Sequence, residues 1–121
     1  MIDFGPTNFR SLKVSSVLKR ALSQMFLEEF YDISKVVSVS YVRVSEDLRE
    51  ATVFVVIGGS ASEGREEIML TLNDASKLIR RLVFKYVKLR YVPRLYFKLD
   101  EGFYHLIEMG DVFAECSKEH E

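Results

Sequence analysis

A chain of 121 residues that is 48% hydrophobic and 29% charged is long enough for one globular domain with its own core. Its single cysteine, Cys116, argues against a disulfide framework and favours a cytoplasmic location, and its first residues lack the basic and apolar regions of a signal peptide. The net charge is only -1, and the longest strongly apolar run, Val53 to Ile57, is too short to cross a membrane.

A long amphipathic helix is predicted from Phe9 to about Asp32. Its apolar residues recur at three- and four-residue spacing and form one stripe: Val14, Val17, Leu18, Ala21, Leu22 and Met25. Lys13 and Arg20 are seven residues apart and fall together on the edge of that stripe, and Arg10 lies beside them. These three cations are candidates for a binding surface on the first helix.

Two β-branched segments then predict an antiparallel hairpin. Val36–Val44 and Ala51–Ile57 are bounded by polar turn residues, and the six residues Ser45–Glu50 connect them. Because the second segment is apolar on both faces, we expect it to lie in the centre of its sheet.

A pair of helices is predicted after the hairpin. The segment Gly58–Gly64 is typical of a flexible connector, and the first helix of the pair runs from Arg65 to Leu72. Asn73 and Asp74 favour caps and turns over helix interiors, so we expect a break or kink there. The second helix is predicted from Ala75 to about Leu89.

The segment from Ala75 to Leu99 concentrates positive charge, with eight basic residues and no Asp or Glu in 25 positions. The basic residues are Lys77, Arg80, Arg81, Lys85, Lys88, Arg90, Arg94 and Lys98. On the predicted helix the first five fall within an arc of about 140°, opposite an apolar side. That apolar side comprises Ala75, Leu78, Ile79, Leu82, Tyr86 and Leu89. A surface helix usually mixes Glu with Lys, so an anionic partner explains the pattern better than the alternative of a solvated face.

The last predicted element is a strand that follows Pro93, which cannot continue a helix. Alternation places Leu95, Phe97 and Leu99 inward and Arg94, Tyr96 and Lys98 outward. The element order helix, strand, strand, helix, helix, strand predicts an α+β fold, with a three-stranded sheet and helices packed on one of its faces.

The chain is predicted to contain one domain flanked by two short segments. Residues 1–8 lead into the domain, residues 9–100 form it, and residues 101–121 are an acidic tail that we expect to be disordered. An alternative is that the tail folds back over the basic segment and competes with an anionic ligand.

Three sequence blocks resemble those of the bacterial ribosome-binding factor A family. Val42–Val55 is similar to its V-x-V-S-x-D-L-x-x-A-x-V-x-V hairpin, and Leu72–Arg80 to its L-N-x-A-x-G-x-[LIF]-R helix junction. Leu89–Asp100 is similar to its L-R-x-x-P-x-L-x-F-x-x-D ending, the most specific of the three. The resemblance implies a type II KH-like fold, with the order α-β-β-α-kink-α-β.

The resemblance also implies a function. It is that of a cytoplasmic, non-enzymatic assembly factor that binds free 30S subunits and assists the processing of 16S rRNA. We further expect a monomer with no cofactor, no small-molecule ligand and no membrane partner.

The chain departs from the family pattern at two places. Where the family has Ala-x-Gly at the helix junction, this chain has Ala75 and then Lys77, so we attribute the kink to Asn73 and Asp74. After the first helix the family often has Asp-Pro-Arg, whereas this chain has Tyr31–Ser34.

The cations are the candidate RNA-binding residues. They are Lys77, Arg80, Arg81, Lys85 and Lys88 on the basic helix, and Arg10, Lys13 and Arg20 on the first helix. The chain has no Trp, and its Phe and Tyr residues are scattered, so we expect recognition of RNA backbone and shape rather than base stacking. Tyr41, Tyr91 and Tyr96 fit a core or sheet-surface role better than stacking on bases.

An alternative function is a protein-interaction module whose basic face docks an acidic partner. A catalytic function has little support, because His105, His120 and Cys116 do not form a cluster. The adjacent pairs Glu28–Glu29 and Glu66–Glu67 point about 100° apart on their helices and do not converge on a substrate. The sequence therefore predicts neither an enzyme nor a metal site.

Overall fold

Helices cover one face of a three-stranded sheet in the computed structural model, which describes residues 9–58, 64–102 and 106. The elements are α1 (Phe9–Glu29), α2 (Tyr31–Ser34), β1 (Val37–Val44), β2 (Glu50–Ile57), α3 (Arg65–Asp74), α4 (Ser76–Val83), a 3-10 turn (Phe84–Tyr86) and β3 (Arg94–Leu99). This is the predicted α+β, type II KH-like order. The lead-in and almost all of the predicted tail lie outside the described residues. No helix among those described is long and apolar enough to span a membrane.

The sheet has the order β1-β2-β3, so β2 is central as predicted. β1 pairs antiparallel with β2, and β3 pairs parallel with it. Alternate residues of β2 and β3 are buried beneath the helices, with α1 packed on β1 and with α3 and α4 packed on β3. Each such aliphatic side chain contributes about 1.5–3 kcal/mol when removed from water. The predicted inward set of β3 is confirmed, because Leu95 and Phe97 are buried and Leu99 is half-buried.

The first helix ends three residues earlier than predicted. Phe30 leaves the helical region, with φ -135° and ψ 62°, and the short helix α2 follows it. The amide of Phe30 still donates to the carbonyl of Phe26 at 2.9 Å, and the two rings pack at 6.3 Å. Phe26 also contacts Phe97 edge-on at 6.4 Å, which links α1 to β3. The aromatic contacts explain the end of the helix, since they turn the chain back towards the core.

A β-bulge in β1 changes the direction of its side chains. The pairing register shifts between Val39 and Tyr41, so that two residues separate the inward side chains Val39 and Val42. Without the bulge, Tyr41 would point into the core. With it, Tyr41 lies on the face of the sheet that no described helix covers.

The turn between β1 and β2 is held by one carboxylate. Asp47 accepts hydrogen bonds from the Ser45 hydroxyl at 2.7 Å and from the Arg49 amide at 3.1 Å, and these bonds lower the pKa of Asp47. Leu48 has φ 62°, the one positive value among the non-glycine residues described, and its side chain packs against the core. The S-x-D-L motif therefore specifies the geometry of the turn.

The break between α3 and α4 lies at Ala75, one residue later than predicted. Ala75 has φ -90° and ψ 6°, in the bridge region of negative φ, which does not require glycine. Lys77 lies inside α4, so the absence of the family glycine causes no backbone strain. The proposed kink at Asn73 and Asp74 is wrong, since both residues are helical.

The fourth helix is shorter than predicted and ends at Val83 instead of Leu89. A 3-10 turn follows, and the chain is extended at Val87, with φ -129° and ψ 152°. Val92 and Pro93 are both buried, so the chain must turn back after α4 to bring them to the core before β3 begins. A helix that continued to Leu89 would leave too few residues for that reversal.

Asn73 serves as a clamp on the outer edge of β3. Its side-chain oxygen accepts from the amide of Phe97 at 2.9 Å, and its side-chain nitrogen donates to the carbonyl of Phe97 at 3.1 Å. The same nitrogen donates to Met69 in α3 at 3.2 Å. The primary amide thus replaces a neighbouring strand and satisfies edge groups that would otherwise be unpaired.

We expect Asn73→Ala to lower the free energy of unfolding by about 1–3 kcal/mol, because it removes two hydrogen bonds to a partly buried strand edge. Chemical denaturation followed by circular dichroism measures the change. Asp74→Ala is the matched control, since Asp74 is exposed and next in the same helical turn. Equal midpoints for the two variants would contradict the role of the clamp.

Candidate nucleic-acid interface

A cationic cleft of about 800 Å³ opens between α4 and the segment that leads into β3. Five of its lining side chains are basic: Lys77, Arg80, Arg81, Arg90 and Arg94. Three more are aromatic: Phe84, Tyr91 and Tyr96. No described acidic residue lines it. Charges of one sign in a concave site concentrate the field, so the cleft attracts anions.

Arg80 holds the two walls of the cleft together. Its Nε donates to the carbonyl oxygen of Val92 at 2.7 Å, and its guanidinium lies over the ring of Tyr91, with the central carbon 4.9 Å from the ring centroid. Val92 is buried, so its carbonyl would lose its partner if Arg80 were removed. Arg80 therefore supports the fold as well as supplying charge, whereas the sequence predicts only a cation on the exposed face of the helix.

Three of the predicted site residues line the cleft, and five do not. Lys77, Arg80 and Arg81 are in it. The residues outside it are Lys85, Lys88, Arg10, Lys13 and Arg20, all exposed. The predicted continuous helix face is wrong, because α4 ends at Val83 and leaves Lys85 in the 3-10 turn and Lys88 beyond it.

The apolar side of α4 also differs from the prediction. Leu78, predicted to face inward, is 46% exposed, and Val83 is completely buried. Ile79 is buried as expected. The other predicted apolar residues, Ala75, Leu82, Tyr86 and Leu89, pack against the core as expected, so Leu78 and Val83 are the departures. Lys77 and Arg81 line the cleft.

Sequence reasoning missed the half of the cleft that lies after the helix. Arg90, Tyr91, Arg94 and Tyr96 line the wall opposite α4. The sequence did contain a signal for this half, because the stretch without Asp or Glu continues to residue 99, beyond the predicted end of the helix at Leu89. What remained hidden was the chain reversal that brings the two halves face to face.

The two adjacent glutamate pairs have structural roles. Tyr86 donates a 3.2 Å hydrogen bond to Glu29, and the neighbouring Glu28 and Glu29 carboxylates raise the pKa of Tyr86 to about 12. This contact ties the 3-10 turn to the end of α1. Glu66 and Glu67 lie in the first turn of α3, where negative charge favours the helix terminus.

The part of the chain that the structure describes contains no group of three or more His, Cys, Asp or Glu residues that could hold a metal ion. His105, His120 and Cys116 lie outside those residues.

We expect Arg80→Gln and Arg81→Gln to differ in stability although both remove one charge from the cleft. Arg80→Gln should lower the free energy of unfolding by about 1–3 kcal/mol, because the buried Val92 carbonyl loses a charged donor. Arg81 is exposed, so Arg81→Gln should leave stability within about 0.5 kcal/mol of the parent chain. Urea unfolding of both variants provides the measurement, and equal losses would contradict the bridging role of Arg80.

Comparison with known proteins gives consistent matches along most of the chain. The sequence profile of the family described as ribosome-binding factor A matches residues 10–113. A ribosome-binding factor A from Anaplasma marginale is 56% identical over 115 residues, which cover 94% of this chain and 97% of the relative.

Comparison with known structures shows the same fold. The solution structure of a putative ribosome-binding factor A from Thermotoga maritima is 28% identical with a TM-score of 0.61, and the match covers 78% of this chain and 89% of that one. A second likeness is to a homology model of Thermus thermophilus ribosome-binding factor A, as fitted into the cryo-electron microscopy map of its complex with the 30S subunit. It is 23% identical with a TM-score of 0.52, and covers 68% of this chain and 86% of that one. With its family profile, its sequence relative and its fold in agreement, this chain belongs to the ribosome-binding factor A family.

Proposed function

We propose that this protein is a cytoplasmic maturation factor of the small ribosomal subunit, which binds free 30S particles by gripping rRNA backbone in its cationic cleft. The observation that carries the proposal is the cleft itself, where five basic side chains from two chain segments converge without an acidic neighbour among the described residues. Family membership supports the partner, since a homology model of the Thermus thermophilus relative was fitted into the map of a complex with the 30S subunit.

Phosphate groups are the part of RNA that such a cleft fits. Arg and Lys side chains that neutralise phosphates release condensed counterions, so affinity falls as salt rises. If all five cations engage phosphates, the slope of log affinity against log salt should be about -3.5 to -4.5. The spacing of the cations around a concave wall selects RNA by backbone shape, with little direct recognition of sequence in the cleft.

Assistance to 16S rRNA processing follows from binding alone in this proposal. A binding protein shifts a conformational equilibrium only by the difference between its affinities for the two states. The factor would therefore favour an immature rRNA arrangement whose backbone fits the cleft, and would leave when maturation removes that arrangement. Cleavage of the precursor would be the work of other proteins.

The triple variant Lys77→Gln/Arg81→Gln/Arg94→Gln should bind 30S subunits at least tenfold more weakly at moderate salt, because three phosphate contacts are lost. Its salt slope should be shallower by about 2–3. Sedimentation of purified subunits with the full chain measures both quantities. Arg80 is left intact so that the cleft keeps its walls.

The matched control is Lys19→Gln/Lys35→Gln/Arg49→Gln, which makes the same change in net charge at exposed positions outside the cleft. An equal loss in this control would contradict a role for the cleft, since only total charge would then matter. Co-migration with a protein partner that survives nuclease treatment would instead favour the interaction-module alternative.

The double variant Lys85→Gln/Lys88→Gln distinguishes the cleft from the continuous helix face that the sequence predicts. Both residues lie outside the cleft, so we expect less than about a threefold loss of 30S affinity, compared with a larger loss for Lys77→Gln/Arg81→Gln. Sedimentation of the two double variants at one salt concentration makes the comparison. A larger loss for the Lys85 and Lys88 pair would locate the RNA contact on the 3-10 turn instead.

A further inference from the structure

The face of the sheet that no described helix covers has a composition unlike that of a solvated surface. We call it the open face, and define it by its outward side chains Tyr41, Arg43, Thr52, Phe54, Tyr96 and Lys98. Strand pairing places them in two adjacent rows. One row is Arg43, Thr52 and Tyr96, and the other is Tyr41, Phe54 and Lys98. Each row contains aromatic and basic side chains and no acid.

The bulge in β1 creates the aromatic centre of this face. It turns Tyr41 outward, where the ring stacks on Phe54 with centroids 4.3 Å apart and planes inclined by 13°. Tyr41 nevertheless remains 45% exposed. Phe54 supports the ring from the central strand, so Tyr41 is held in one orientation and accessible without the entropy loss of ordering a free side chain.

Tyr96 connects the open face to the cleft. It is 44% exposed and lies one row from Phe54, a separation of roughly 7 Å along the strands. Tyr96 also lines the cleft, as does Arg94 two residues before it. A ligand that fills the cleft can therefore continue onto the open face without leaving the protein surface.

The open face carries positive charge, as the cleft does. Arg43 and Lys98 are exposed beside the aromatic rings. Among the described residues, outward acids lie in the rows next to these two, where Glu50 is opposite Arg94 in the strand register and Asp100 accepts a 2.5 Å hydrogen bond from Ser40. The middle of the face is thus both cationic and aromatic, which suits a chain of phosphates and planar bases.

We infer that a single-stranded RNA segment leaves the cleft across the open face and stacks bases on Tyr96 and on the Tyr41–Phe54 pair. This inference rests on the proposed function and names the form of RNA bound beyond the cleft. Such stacking is tolerant of sequence because every base has a planar face. The open face then binds single strands, while the cleft accepts the backbone of either single or paired RNA.

The test uses the full chain with two fluorescent probes, a 12-residue oligouridylate and a 12-base-pair RNA duplex, and measures anisotropy. Tyr41→Leu/Tyr96→Leu should lower oligouridylate affinity at least about fivefold for each base that loses its platform. The salt slope should stay unchanged, since no charge is removed. Tyr41→Leu alone should leave duplex affinity unchanged, since Tyr41 does not line the cleft, and a general loss of folding would not allow that result.

Tyr41→Phe/Tyr96→Phe is the matched control, because it keeps both rings and removes only the hydroxyl groups. It should bind oligouridylate within about twofold of the parent chain. The chain has no Trp, so quenching of its Tyr fluorescence by oligouridylate gives a second measure of stacking. That quenching should be reduced in the Leu variant.

Two outcomes would overturn the inference and leave the proposed function intact. Unchanged oligouridylate binding by the Leu variant, with reduced sedimentation on 30S subunits, would show that the open face contacts ribosomal protein. Oligouridylate binding to the parent chain without Tyr quenching would show that the RNA binds without stacking on the open face. Failure of the proposed function is distinct, since the Lys77, Arg81 and Arg94 variant would then keep its affinity for 30S subunits.

Discussion

The parallel pairing of β2 with β3 is the constraint on which the rest of this structure depends. A hairpin can join antiparallel strands. A parallel strand must instead be reached by a crossover that returns the chain to the end of the sheet at which the previous strand began. Here α3, the break at Ala75, α4 and the reversal through Val92 make up that crossover. Because the crossover must return to the first residue of β3, the end of the helical pair and the beginning of the strand face each other. The cationic cleft is the space between them.

Two hydrogen-bonded contacts set the geometry of this crossover, one near the end of α3 and one in α4. Asn73 clamps the helix junction to the backbone of Phe97, and Arg80 joins the helix to the carbonyl of Val92. Both contacts satisfy backbone groups that would otherwise be unpaired near the core, so their loss costs more than their formation contributes. The same segment also carries many like charges, which repel one another. The repulsion is resisted by an apolar core on the other side of α4, where Ile79 and Val83 are buried.

Element types were accessible from the sequence because each depends on local periodicity and turn chemistry. The hairpin, the central place of β2 and the alternation in β3 follow from spacing that is visible along the chain. Three features were not accessible, and each arises from tertiary contacts. The packing of Phe30 ends α1, and the burial of Val92 and Pro93 shortens α4. The bulge that turns Tyr41 outward leaves no sign in an alternating β-branched segment.

The same limit applies to the candidate site. Charge segregation identified an anion-binding segment, since it depends only on which residues are present. It could not distinguish a helix face from a cleft, because that depends on where the chain reverses. The aromatic residues show the limit most clearly. They are scattered along the sequence, and this favoured backbone recognition alone. Strand register then brings Tyr41, Phe54 and Tyr96 onto two neighbouring rows of one face. Residues that are far apart in sequence become one surface through pairing, so their function is set by the register of the sheet and not by their spacing along the chain.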